Sequence, residues 1–261
     1  MSQGRRMGLG ALADIIGPER VSGLPVGEVT GLAYDSRKVT PGTLFFAVQG
    51  DHVDGHDFVA SAVEAGAIGA VVEHEIIGAE VPQLVVERSR RALADAAFEW
   101  FGRPADDPRM RKVIGVTGTD GKSTVTALTA EMLWGLGWHP GQIGTVSIGI
   151  FDDLEPNTAR TTTPEALELQ ELLARMVEAG NDSVVMEATS HGLALERTRN
   201  CRFDVGVVTT VTSEHLEFHR TVENYRAAKA RLVEEAPIAV LNADDDAFGY
   251  FRDRARERVI T

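Results

Sequence analysis

The spacing of apolar and polar positions changes repeatedly along the chain, and each change marks an element. Residues 8–17 mix apolar and small side chains at helical spacing and predict a short helix. Residues 31–42 read as a strand running into the Pro41-Gly42 turn, and residues 43–48 as a strongly apolar strand. A helix is expected over 57–66, with Asp57 near its start and Gly66 stopping it. Short buried strands follow at 67–72 and 83–86. Residues 89–101 then place Ala92, Leu93, Ala96, Ala97 and Trp100 on one helical face, behind a Ser89 cap. Two prolines and two acids break the pattern between Gly102 and Pro108, and the domain boundary is placed there, giving domains 1–107 and 108–261.

Beyond the break, strands and helices alternate, the signature of a mostly parallel sheet and an α/β fold class. A helix is expected after Thr163, with Pro164 at its first position. Residues 183–187 form a buried strand ending on Glu187, and 203–210 another. Thr221 caps a helix over 222–235, Pro237 closes it, and a final short strand spans 238–241. No internal repeat or low-complexity segment is present.

The second part opens on a β-branched run, Val113-Ile114-Gly115-Val116, then Thr117-Gly118-Thr119-Asp120-Gly121-Lys122-Ser123-Thr124. Strand, glycine turn and helix start in one piece offer backbone N–H groups and the positive end of a helix dipole to a polyphosphate. Lys122 is placed to reach the β/γ-phosphates and Ser123 to complete a Mg²⁺ shell. The spacing differs from the common Walker form, whose first glycine falls at Val116.

Glu187 ends a strand expected to be central, where open α/β sheets bind ligands. On its own it is equally a candidate for nucleotide-bound Mg²⁺ and a solvated strand-end acid. The loop 188–193, with Ser190 and His191, faces a substrate or holds a structural histidine. His215, in a polar segment beyond another strand, is a metal ligand or an ordinary histidine. Lys229, in Tyr225-Arg226-Ala227-Ala228-Lys229, has nothing local to separate it from a solvated helix face.

Charge and composition narrow the function classes. The chain has 261 residues, 43% hydrophobic and 25% charged, which suits one large or two ordinary soluble domains. Its net charge of −13 disfavours nucleic acid and anionic membranes as partners, so an anionic nucleotide has to be held by local features. No apolar run approaches the roughly 18 residues of a membrane span, and no signal-type apolar core follows Arg5 and Arg6. The single Cys201 forms no internal disulfide and fits a reducing cytosol as a small buried hydrophobe. A cytoplasmic location is expected.

Taken together, the loop 118–124, Met186-Glu187, Ser190-His191-Gly192-Leu193, and Glu214-His215-Leu216-Glu217 followed by the segment ending in Lys229 resemble the Mur ligase family. In the first domain Asp35-Ser36-Arg37-Lys38-Val39-Thr40-Pro41-Gly42, Leu44-Phe45 and the segment from Gly50 through Asp54-Gly55-His56-Asp57-Phe58 agree. Thr162-Thr163-Pro164 and Leu169-Gln170 point within the family to the tripeptide-forming (MurE) type.

The resemblance implies a UDP-substrate-binding domain followed by an ATP-binding central domain. It also implies ATP-dependent addition of a diamino acid, meso-diaminopimelate or L-lysine, to UDP-N-acetylmuramoyl-L-alanyl-D-glutamate. ATP would contact Gly118, Thr119, Asp120, Gly121, Lys122, Ser123, Thr124 and Asn242. Two Mg²⁺ would be served by Ser123, Glu187, His215 and a carbamylated Lys229, with Lys122, Lys229, Glu187 and His215 as the catalytic set. Ser36, Asp51, His52 and Val53 would hold the uridine diphosphate, and Thr162, Thr163, Ser190 and Arg197 the muramoyl dipeptide.

The sequence departs from the family pattern at Asp120, where asparagine is common, and at Thr161, Thr189 and Glu214. Asp120 adds negative charge beside the phosphates. Family members carry a third, carboxyl-terminal domain, and Thr261 falls about where it would begin. Residues 1–261 are therefore expected to bind both ligands without turnover. The competing readings are a nucleotide and UDP-sugar binding module, and a MurF-type or cyanophycin-synthetase-like ligase.

Overall fold

The computed structural model describes residues 4–50, 53–151, 153–158 and 161–261. The chain divides into two compact units, Met1–Gly102 and Arg103–Thr261. In the first unit β1 (Met7–Gly8), α1 (Leu9–Ile16), β2 (Arg20–Ser22), β3 (Glu28–Val29) and β4 (Gly31–Ala33) precede β5 (Thr43–Phe46). Then come α2 (Val59–Glu64), β6 (Ala67–Val72), β7 (Gln83–Val85) and α3 (Ser89–Trp100).

One sheet runs β2-β7-β6-β5-β4, parallel apart from the edge strand β2, while β1 pairs with β3 alone. β5 is buried along its whole length, as its unbroken apolar run demands of a strand covered on both faces. Phe45, Val59, Ala62, Ala70 and Val72 share one core cluster.

Two helix starts differ from the sequence pattern. Ser89 is the first residue of α3 and not its cap: its N–H and hydroxyl both donate to Glu73 Oε1, at 2.8 and 2.9 Å. The capping oxygen thus arrives from the segment after β6, which no local pattern shows. The helix expected over 57–66 begins as a 3₁₀ turn, Gly55–Phe58, before α2 takes over.

The second unit contains β8 (Lys112–Thr117), α4 (Lys122–Gly135), β9 (Pro140–Ile143), β10 (Ser147–Ile150), β11 (Asp153–Pro156), α5 (Ala166–Ala179) and β12 (Ser183–Glu187). After these come α6 (Ser190–Ala194), β13 (Val205–Val208), α7 (Leu216–His219), α8 (Val222–Glu235), β14 (Ile238–Leu241), α9 (Phe248–Arg252) and β15 (Arg258–Ile260). The eight strands lie in the order β11-β10-β9-β12-β8-β13-β14-β15. From β9 to β15 all neighbours are parallel; β10 and β11 add an antiparallel edge hairpin that the sequence pattern did not reveal.

Successive residues of the central strands feed opposite faces. Val113, Val184 and Met186 enter a cluster with Leu169, Leu173 and Leu232, while Ile114, Val116 and Val185 pack with Ala130 of α4. A 3₁₀ turn at Pro104–Asp106 packs against α5, so the boundary between units falls at Gly102, before the expected break at 107/108.

Thr221 caps α8 as expected, its Oγ1 accepting the Asn224 N–H at 3.1 Å. α5 starts at Ala166 behind an extended Glu165, leaving Pro164 outside the helix; Arg197 donates to the Thr163 carbonyl and holds that approach extended. The loop expected over 188–193 instead runs from Ser190 into the short helix α6, capped by Thr189. β14 is not the last strand, since β15 pairs beside it. Among the described residues no helix is long and apolar enough to cross a membrane.

Candidate active site

The carboxyl ends of β8, β12, β13 and β14 lie side by side in the sheet, with Glu187 opposite Val116 and Val208 opposite Thr117. The chain leaves β8 toward β9 and β12 on one side and returns through β13 on the other. This is the switch point at which parallel sheets open a ligand crevice. The glycine turn after β8 occupies it.

Gly118 has φ +146°, and a Cβ there would collide with the Thr209 hydroxyl. The Thr209 hydroxyl itself donates within the turn, 3.1 Å from the Thr117 carbonyl and 2.6 Å from that of Asp120. The Thr119 N–H meets the Thr210 carbonyl at 2.6 Å, and the Thr212 N–H donates to Thr119 Oγ1 at 3.0 Å. The segment after β13 therefore clamps the turn from outside. Gly118→Ala is expected to lose about 2 kcal/mol or more of stability through strain and collision together; an unchanged Tm would contradict this packing.

α4 starts immediately after Gly121, itself left-handed at φ +83°, and no side chain caps it. Its first N–H groups have no intrahelical acceptor and stand at the positive end of a 14-residue helix, a cradle suited to phosphate. Lys122 folds back over the turn, its Nζ 3.0 Å from the Gly118 carbonyl and 2.6 Å from that of Thr119. Ser123 is half-buried and Thr124 exposed; Asp120 is exposed at the rim.

A second lysine reaches the same carbonyl. Lys229 Nζ lies 2.6 Å from the Gly118 oxygen, and the residue is 1% exposed. Its presence there is set by a glycine one layer down. A Cβ on Gly115 would sit 2.6 Å from Leu232 Cδ1 and 2.8 Å from the Phe203 ring, so only glycine lets α8 approach β8 this closely. Lys229, one turn before Leu232, then comes over the loop.

Its amine also stands 4.5 Å from the centre of the Tyr225 ring, whose hydroxyl is 2.9 Å from Thr119 Oγ1. Burial, and then the neighbouring Lys122 charge, pull Lys229 down from an ordinary 10.5 to about 7, with Glu214 opposing. The solvated-helix reading of Lys229 does not hold: this is a buried amine, with about half of it neutral at pH 7.

Glu187 is 1% exposed. Its carboxylate accepts the Thr145 N–H at 2.8 Å and the Thr145 hydroxyl at 3.0 Å, and among the described residues it pairs with no cation. A buried anion so placed fits a metal ion. Thr162 lies beside this pair, 2.9 Å from the Thr145 hydroxyl. The Thr163 hydroxyl is buried and committed to the Glu187 carbonyl at 2.9 Å, so its side chain is structural. Ser190 is likewise buried at the start of α6. Arg197 is held 2.7 Å from Glu165 and 3.1 Å from the Thr163 carbonyl.

The two histidine motifs, distant in sequence, meet in space. The His191 and His215 rings are 4.7 Å apart edge to face, and His191 also contacts Phe218 and His219. His215 is half-exposed and left-handed at φ 53°, between Glu214 and Glu217. His219 is 5% exposed, and burial, then the His191, Lys229 and His215 charges, lower it to about 4, leaving it neutral. No three His, Cys, Asp or Glu side chains gather around one point among the described residues. Asn242 follows β14; its side-chain oxygen accepts the Asp244 N–H at 3.1 Å.

In the first unit, Ser36 opens a 3₁₀ turn that Asp35 caps. Arg37 donates to both Asp35 oxygens, and this hydrogen bonding lowers the Asp35 pKa. Val53 is 56% exposed on the segment after β5; Asp51 and His52 lie outside the described residues. Sequence reasoning overlooked Thr145, Thr209 and His219. Thr209 stood in a polar stretch just beyond a strand, which was a usable signal. Thr145 acts on a carboxylate 42 positions away and carried none.

Known proteins resemble the chain in sequence and in fold. Residues 116–261 match the model of the Mur ligase middle domain, and residues 28–100 that of the Mur ligase family catalytic domain. A UDP-N-acetylmuramyl-tripeptide synthetase of Roseiflexus sp. (strain RS-1) is 44% identical over 245 residues, covering 87% of this chain and 48% of its own. The solved structure of a UDP-N-acetylmuramoyl-L-alanyl-D-glutamate–2,6-diaminopimelate ligase superposes with a TM-score of 0.82 at 28% identity, over 98% of this chain and 52% of that one. The MurF ligase of Thermotoga maritima, solved in complex with ADP, gives a TM-score of 0.57 at 25% identity, over 87% and 49%. The chain spans about half the length of the curated relatives it matches.

Proposed function

The chain belongs to the Mur ligase family, and from that premise we propose that it carries the substrate-binding and nucleotide-binding parts of an ATP-dependent peptidoglycan-precursor ligase. The reaction joins a diamino acid to UDP-N-acetylmuramoyl-L-alanyl-D-glutamate. The first unit, residues 1–102, takes the UDP-substrate and the second, residues 103–261, the nucleotide. Both substrates are soluble and charged, which fits a cytoplasmic enzyme. The observation that carries the reading is the convergence of Lys122 and the buried Lys229 on the Gly118 carbonyl, beside an uncapped helix start.

The D-glutamyl carboxylate attacks the terminal phosphorus of ATP, the bond to ADP breaks, and an acyl phosphate results. The amine of the diamino acid attacks the acyl carbon, and phosphate leaves from the tetrahedral intermediate. The protein positions these anions and offsets their charge. Lys122 and the first N–H groups of α4 hold the phosphates, with Gly118, Thr119, Asp120, Gly121, Ser123 and Thr124 forming the turn; Asn242 approaches adenine.

A neutral Lys229 amine attacks CO₂ at carbon, forming the N–C bond of a carbamate and releasing one proton. The carbamate is negative and attracts Lys122, where the protonated amine would repel it. Ser123, Glu187, His215 and this carbamate would hold two Mg²⁺, which neutralise phosphate charge when bound. Ser36, Val53, Asp51 and His52 contact the uridine diphosphate. Thr162, Ser190, Arg197 and the Thr163 backbone line the muramoyl dipeptide.

A thermal-shift panel tests the substrate. UDP-N-acetylmuramoyl-L-alanyl-D-glutamate is expected to raise Tm more than the corresponding tripeptide precursor, by mass action on the folded state. The reverse order would favour a MurF-type ligase. No shift with any UDP-muramoyl peptide would overturn the substrate assignment.

A further inference from the structure

None of the roles above belongs to Thr145, in the turn between β9 and β10. We infer that Thr145 is the positioning residue of Glu187: it aims the carboxylate at a divalent cation and, through the same hydroxyl, orients Thr162 for the muramoyl dipeptide. The inference rests on the reading of Glu187 as a cation ligand and of Thr162 as a dipeptide contact; that Thr145 holds the carboxylate does not.

Glu187 is 1% exposed, Thr162 is half-buried and Thr145 is exposed. Thr145 is thus the outer end of a short chain of groups that leads to a buried anion. Its N–H donates to Glu187 Oε1 at 2.8 Å and its hydroxyl to Oε2 at 3.0 Å. One residue holds both oxygens, which fixes the plane of the carboxylate. The order of the protons follows from elementary donor counting. A carboxylate only accepts, so the single hydroxyl proton of Thr145 is spent on Oε2. In the 2.9 Å contact between the Thr145 and Thr162 hydroxyls, Thr162 is therefore the donor. Each Glu187 oxygen accepts one bond from Thr145 and keeps a further lone pair for a cation.

The turn that presents Thr145 is itself fixed. The Gly144 N–H donates to the Ser147 carbonyl at 3.0 Å, and the Asn157 N–H to that of Val146 at 2.9 Å. The Asn157 side-chain amide donates to the Gly144 carbonyl at 2.8 Å. A Cβ on Gly144 would sit 2.6 Å from Glu187 Oε1, so only glycine lets the carboxylate lie against the turn. Ser147 opens β10 and Asn157 follows β11, so the edge hairpin braces the turn that aims Glu187. A threonine that merely closed this turn would be replaceable by valine, its equal in shape. Valine keeps the N–H for Oε1 and leaves Oε2 without its donor.

The test uses the whole chain with Thr145→Val and Thr145→Ser, and calorimetry of ATP binding in EDTA and in excess Mg²⁺. Thr145→Val is expected to leave ATP affinity in EDTA unchanged and to cut the gain that Mg²⁺ brings by about tenfold, the scale of one hydrogen bond to a charged group. Thr145→Ser keeps the hydroxyl and should recover most of that gain. Without metal or ligand, Thr145→Val should lower Tm by about 2 °C or more, because an oxygen of a buried carboxylate loses its donor. UDP-N-acetylmuramoyl-L-alanyl-D-glutamate should bind Thr145→Val and Thr162→Val with similar losses, and the double variant no more weakly than either.

An unchanged Mg²⁺ gain in Thr145→Val, or the same loss of ATP affinity in EDTA as in Mg²⁺, would overturn the positioning role. Additive losses for the dipeptide would overturn the link to Thr162. Should the wild-type chain gain no ATP affinity from Mg²⁺, the cation reading of Glu187 fails and that half of the inference with it. Should it bind no dipeptide, the reading of Thr162 fails likewise. In both cases the metal-free Tm still decides whether Thr145 holds the carboxylate, and an unchanged Tm would overturn that too.

Discussion

Lys122→Ala is expected to cost at least about 100-fold in affinity for Mg²⁺–ATP, the scale of one charge-assisted contact to phosphate lost in a partly desolvated site. The fold should survive, because the Lys122 amine binds only the carbonyls of its own turn. The substitution also removes the charge that helps hold Lys229 down, so the Lys229 pKa should rise. Calorimetry measures the first effect. Unchanged ATP affinity would remove Lys122 from the phosphate site, and a large drop in Tm would make its role structural.

Lys229→Met is expected to do two opposite things: abolish ligase activity in the complete enzyme and make the protein more stable. The sign follows from linkage. Lys229 titrates near 7 when folded against an ordinary 10.5, so between those values the unfolded chain binds more protons. The burial cost is complete below pH 7 and disappears as pH rises toward 10.5. Against the uncarbamylated lysine, in CO₂-depleted buffer, methionine fills the same space without a charge to desolvate and should add roughly 2 kcal/mol or more below pH 7. The stabilisation should shrink as the pH rises. Lys229→Ala should regain part of its activity when short carboxylates are added, standing in for the carbamate. Full activity, or a lower Tm at pH 7 for the methionine variant, would contradict the account.

How much of this was legible beforehand differs from element to element. The strand, turn and helix around Lys122 are local, and the sequence alone placed them. Glu187 was legible as a strand-end acid, because a buried parallel strand exposes its carboxyl end to the crevice. Lys229 was not legible from physics. Its burial depends on Gly115 and Gly206 admitting Leu232 against the sheet, and those contacts span long stretches of chain. Only the resemblance singled it out.

The β10–β11 hairpin escaped because its strands are short and β11 is exposed throughout, leaving no alternation to read. The cap expected at Ser89 and the helix start expected at Pro164 were misplaced for a related reason. Glu73 and Arg197 reach those turns from elsewhere in the fold and shift the helix starts.

The central claim is that a nucleotide's phosphates rest on residues 118–124 beneath Lys122 and Lys229. Hydrogen exchange with and without Mg²⁺–ATP, read segment by segment, tests it most directly. The account predicts protection concentrated on the turn after β8 and the first turn of α4, with a smaller effect on the clamping segment 209–212. Protection confined to other segments, such as the β10–β11 hairpin, or no protection at a saturating nucleotide concentration, would contradict it.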